Sequence, residues 1–107
     1  INRKFSIKII TMERAKIYEI VIKQVQELNE TLPENQQFSV NEDTILFGNN
    51  SNIDSLSLVS VIVDLESVFS AEYGKEISLT DDRAMTREIN PFSSIRNLVD
   101  YIAEVVN

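Results

Sequence analysis

The chain holds no cysteine, no histidine and no tryptophan, and only two glycines and two prolines in 107 residues. Without cysteine there is no disulfide framework, no thiol nucleophile and no zinc knuckle. Without histidine the commonest general base and the commonest metal ligand are also missing. The acids are dispersed, with no spaced loop of oxygen ligands, so no metal site is expected. Few glycines and prolines argue against a sandwich or barrel of many short strands, which needs turn residues at every corner. No apolar run approaches the thickness of a bilayer, so membrane insertion is not expected. Lysine and arginine are scarce relative to acids, 10 against 17 for a net charge of −7. That balance works against binding a phosphate backbone, and nucleic acid is not an expected partner.

What is present is a globular composition, 43% hydrophobic and 25% charged, in a length that suits one domain burying roughly two-thirds of its unfolded surface. The amino terminus differs from the rest. Residues 1–11 carry Arg3, Lys4 and Lys8 with no acid, whereas the chain from Met12 onward has 7 basic and 17 acidic residues, a net of −10. The switch suggests residues 1–11 as a non-native or flexible extension and 12–107 as the domain. Nothing resembles a signal peptide, so the expected compartment is the cytosol.

Apolar residues Ile17, Ile20, Val21, Val25 and Leu28 recur at three- and four-residue steps and predict a first helix over 13–30, stopped by Pro33. A long connection follows to Asp54, with Phe38, Val40, Ile45, Leu46 and Phe47 expected to pin it onto the helices. The second helix should run from the Asp54-Ser55 pair to about Ser70 with two apolar seams. Leu58, Ile62, Leu65 and Phe69 form one; Leu56, Val59 and Val63 form the other. That band is wider than one packing face needs. Either all of it is core, or the second seam lines an internal pocket or meets a partner, with Ile77, Phe92 or Tyr73 as further walls. Thr80 is a plausible cap for a short helix over 81–89, and Ser93 or Ser94 for a last helix bearing Ile95, Leu98, Val99, Ile102, Val105 and Val106 on one side. The expected fold is all-α: three main helices, one short helix and a long first loop.

Ser55 stands out because it lies where a polar loop meets a helix amino terminus, a place that favours an anion. A serine hydrolase is excluded in practice, since neither a nearby base nor a Gly-x-Ser-x-Gly turn is present. The string NIDSLSLVSVIVDLESVF over 52–69 resembles the acyl carrier protein signature, in which an Asp-Ser-Leu triplet opens the second helix and spaced aliphatics, a Leu-Glu pair and a Phe follow. The matching residues are Asp54, Ser55, Leu56, Val59, Ile62, Leu65, Glu66 and Phe69, and the resemblance extends to Ile77 and to Leu98-Val99-Asp100-Tyr101-Ile102.

The resemblance implies an acyl-carrier-like helical bundle that is not itself an enzyme. Ser55 would accept 4′-phosphopantetheine from coenzyme A through a separate phosphopantetheinyl transferase. The arm's thiol would then carry an acyl thioester between acyl-loading and acyl-consuming enzymes of lipid, polyketide or related specialised biosynthesis. Asp54 and Leu56 would flank the attachment site, and Val59, Val63, Asp64, Glu66 and Ile77 would serve a partner surface or acyl pocket. A cofactor-borne thiol and partner-borne acid–base groups make the missing Cys and His intelligible. A monomer is expected.

The chain also departs from the family pattern. Ser57, Ser60 and Ser67 stand where the family's second helix usually displays acids, so steering by charge should be weak along it. The stretch from Phe69 to Ile95 is longer than in housekeeping carriers of fatty acid synthesis, and its SLTDDRAMTREINPF segment over 78–92 looks like that of stand-alone carriers of specialised pathways. An aminoacyl cargo is the alternative within the class, although Ile53-Asp54 does not match the Gly-Gly pair usual there. An unmodified acidic adaptor that binds partner proteins through the second helix is the alternative outside it.

Overall fold

The computed structural model describes residues 12–107; the expectation for residues 1–11 lies outside them. Helix α1 spans Arg14–Glu30, α2 Ser55–Tyr73, α3 Asp82–Met85 and α4 Ile95–Val106, with one 3-10 turn at Glu34–Gln36. No strand occurs among the described residues. The protein is a small helical bundle, as its periodicity predicts, and α1 packs against both α4 and α2.

The buried stripes of the three main helices converge. Ile17, Val21 and Val25 of α1, Leu65 and Phe69 of α2, and Ile95, Leu98, Val99 and Ile102 of α4 are wholly removed from solvent. At roughly 1.5–3 kcal/mol per fully buried aliphatic or aromatic side chain, this shared core dominates the favourable side of folding. Asn29 is the buried polar residue of α1, and both ends of its amide are satisfied. Its Nδ2 donates to the Phe38 carbonyl at 2.8 Å, and its Oδ1 accepts the Phe38 N–H at 3.0 Å. The loop is thereby stitched to α1 just after the chain turns at Pro33.

The helix ends follow local chemistry. Asp54 caps α2 and Ser94 caps α4, their side chains accepting the N–H groups of Ser57 and Asn97. Helix α2 runs three residues past the expected end at Ser70, because the stop is Gly74. At φ +64 it adopts the left-handed conformation that suits glycine, and the N–H groups of Gly74 and Lys75 reach back to the carbonyls of Ser70 and Phe69.

Helix α3 corrects the expectation of a helix over 81–89. It is a single turn, Asp82–Met85, and Asp81 rather than Thr80 is its cap. Asp81 accepts the Arg83 N–H at 3.1 Å and its guanidinium at 2.9 Å. Only Ala84 of that turn is buried, while Met85 and Ile89 stay exposed. A longer helix would have no covered apolar face to stabilise it.

The long connection is only partly pinned as expected. Leu46 is wholly buried, and Phe38 and Val40 pack against the core. Phe47 points outward, however, and is 51% exposed. Its neighbour Leu46 takes the inward position, and Ile53 closes the loop's far end as a buried residue.

Candidate functional site

Ser55 is the first residue of α2 and is exposed. Its position is set from both sides. Upstream, buried Ile53 anchors the loop, and the Ser51 hydroxyl accepts the Ile53 N–H at 3.0 Å. Downstream, the Asp54 carboxylate accepts the Ser57 N–H at 2.7 Å, and the Asp54 carbonyl accepts the Leu58 N–H at 3.0 Å. The first turn is therefore tied to the residue before the serine, while the serine hydroxyl is left unengaged among the described residues. Ser57, through its backbone N–H first and its hydroxyl second, holds the Asp54 carboxyl below the ordinary aspartate range.

Around this serine, α2 presents two different surfaces. Leu58, Val61, Ile62, Leu65 and Phe69 face the core. Leu56 is 80% exposed, Val59 54% and Val63 52%. Val61 is a core residue that neither predicted seam includes. The second seam is thus not an internal lining: at 100° per residue its three positions centre well over a quarter-turn from the buried stripe, and no other element covers them.

The candidate pocket walls, Leu56, Val59 and Val63 with Ile77, Phe92 or Tyr73, fall at separate places on the surface. Val63 and Ile77 border one open groove of about 400 Å³ together with Glu66 and Glu76. Phe92 lines a different depression of about 390 Å³, with Phe47, Leu58, Ala84 and Met85 as its other apolar walls and Arg87, Glu88 and Asn90 as its polar ones. Tyr73 lies beside Phe69, the ring centroids 6.2 Å apart, with the Lys16 ammonium 5.9 Å from its own centroid. Asp64 is exposed on the outer face of α2. Glu66 has a structural partner, since its carboxylate accepts the N–H of wholly buried Leu79 at 2.8 Å.

Phe47, Met85 and the depression they border are the features that sequence reasoning missed. The available signal was an aromatic that ends the short apolar run Ile45-Leu46-Phe47 and is followed by Gly48, which has φ +116. No group of three or more potential metal ligands exists among the described residues. No helix among them is long and apolar enough to cross a membrane.

Comparison with family models, with curated proteins and with solved structures yields no match.

Proposed function

We propose that this chain is a carrier protein that receives 4′-phosphopantetheine on Ser55 and conveys a thioester-linked acyl group between partner enzymes. The observation that carries this reading is the combination of sequence and exposure at one residue. Ser55 sits inside the Asp-Ser-Leu string, and its hydroxyl is uncovered at the start of the helix that the resemblance calls for.

Attachment requires a bond between the serine oxygen and the phosphorus of coenzyme A. The nucleotide half of the coenzyme leaves, and the hydroxyl proton passes to a base of the transferase. This chain's part is presentation. Asp54 ties down the first turn beside the exposed serine, and a helix amino terminus is a favourable place for an anion. The arm supplies the thiol that the chain lacks.

The outward seam Leu56, Val59 and Val63 favours one second reading, an adaptor that docks partners through α2 without modification. A single experiment separates the two. The apo chain is incubated with coenzyme A and a broad-specificity phosphopantetheinyl transferase, and its intact mass is measured. A gain of one phosphopantetheinyl group that Ser55→Ala abolishes supports the carrier. No gain, under conditions that fully modify a control carrier, supports the adaptor.

A further inference from the structure

The long loop consists of two unlike halves. In the first, the carbonyls of Glu42 and Thr44 accept the N–H groups of Arg96 and Ile95, both at 2.9 Å, and Leu46 is wholly buried. In the second half, residues 47–52, the bonds are local. The Ser51 N–H donates to the Gly48 carbonyl at 3.1 Å, and the Ser51 hydroxyl accepts the Ile53 N–H at 3.0 Å. Asn49 and Asn50 form the exposed tip of the turn that Ser51 closes. Their side chains make no hydrogen bond with any described residue, and neither does the Asn50 N–H.

Asparagine is a thermolabile side chain, because the backbone nitrogen of the next residue can attack its amide carbon. The attack requires an unengaged side chain, a following nitrogen free to turn toward it, and a backbone outside a helix. Every other described asparagine lacks at least one of these. Asn29 and Asn107 hold both amide atoms in bonds to the backbone of Phe38 and Met12. The Asn41 Oδ1 accepts the Asp43 N–H at 2.8 Å, and Asn97 lies in α4 with its amide nitrogen donating to the Ser93 hydroxyl at 2.6 Å. Asn90 precedes Pro91, which has no N–H to give up. The nitrogen after Asn35 donates to the Pro33 carbonyl at 2.8 Å, and the one after Asn52 belongs to buried, β-branched Ile53. At the tip the attacking residues, Asn50 and Ser51, are unbranched. The one bond to open there is that of Ser51 to Gly48, and an exposed turn bond slows the attack only about fivefold.

We propose that Asn49-Asn50 is a modification site, where the folded chain deamidates spontaneously ahead of every other described asparagine. The following backbone nitrogen bonds to the side-chain carbon, its proton passes to water, and ammonia leaves. Water then opens the resulting succinimide at either carbonyl. One opening leaves aspartate; the other leaves isoaspartate, whose main chain is one methylene longer. Both add a negative charge to a chain already at −7. Isoaspartate at Asn50 also lengthens the turn just before the Ser51–Ile53 contact that anchors the approach to Ser55. The site does not depend on the carrier reading.

The test incubates the full chain at mildly alkaline pH, with and without urea, and maps the gain of one dalton by peptide mass. In the folded chain the gain at 49–50 should exceed that at any other described asparagine by about fivefold or more, and urea should raise the gain at Asn41 and Asn97 several-fold by releasing their bonds. The variant Asn49→Gln/Asn50→Gln should lose most of the folded-state gain and keep its thermal midpoint within about a degree. A folded chain that gains nothing at the tip, while a synthetic peptide of residues 46–54 deamidates alongside it, overturns the proposal. So does a gain spread evenly over the asparagines, or one that the double variant retains.

Discussion

The inner and outer seams of α2 have nearly the same composition and opposite fates. Leu58, Ile62, Leu65 and Phe69 are buried, whereas Leu56, Val59 and Val63, interleaved among them, face outward. What separates them is angle. Helix α1 covers one side of α2, and with no second layer beyond, three large aliphatics are left uncovered. Hydrophobic residues on such a helix therefore divide into those that hold the fold and those left uncovered, and an apolar count cannot make that division.

The sharpest way to break this distinction is to truncate one residue from each side. Leu65→Ala should destabilise the protein by about 2–5 kcal/mol, measured by urea unfolding, because it empties volume that the bundle cannot fully refill. A change below 1 kcal/mol would mean that the inner seam is not the packed one. At the border between the seams, Glu66→Ala removes the acceptor of the buried Leu79 N–H and should cost about 1–3 kcal/mol. Indifference to this change would turn Glu66 into an ordinary surface acid.

Asp54→Asn should have a smaller effect at neutral pH, since asparagine caps helices well, but it should alter the acid limb. The Asp54 carboxyl is depressed in the folded state relative to its ordinary value of 3.8. Its contribution is therefore complete above that value and is lost as the pH falls through the lower folded-state pKa. Thermal midpoints of the parent should thus fall more steeply below pH 4 than those of Asp54→Asn; parallel curves would show that the cap bond does not form. The smallest effect belongs to the outer seam. Leu56→Ser, Val59→Ser and Val63→Ser should each stay within about 0.5 kcal/mol of the parent by the same urea titration, and a loss above 1 kcal/mol for any of them would show that the seam is covered.

Much of the architecture was legible in spacing alone. The stripes of α1 and α4 are regular, Asp54 and Ser94 announce their helices as caps, and Pro33 ends the first. The single-turn α3 was harder to foresee: Asp81 pairs locally with Arg83, but the Tyr101 hydroxyl that donates to it at 3.3 Å is brought there by folding. Leu79 and Val61 were missed as core for the same reason: their burial is decided by what crosses over them. The exposure of Ser55 follows from its place at a loop–helix junction. The depression behind it needs Phe47, Leu58 and Phe92 from three separate stretches, and no local pattern announces such a meeting.

The two backbone bonds from Ile95 and Arg96 to the first loop span more than fifty positions of sequence. During synthesis the loop can be tied to α1 through Asn29 and Phe38 early, but its bonds to α4 wait until the start of that helix has emerged, and such distant pairings form late. The loop that leads to Ser55 therefore reaches its final setting only once the start of α4 is in place beside it.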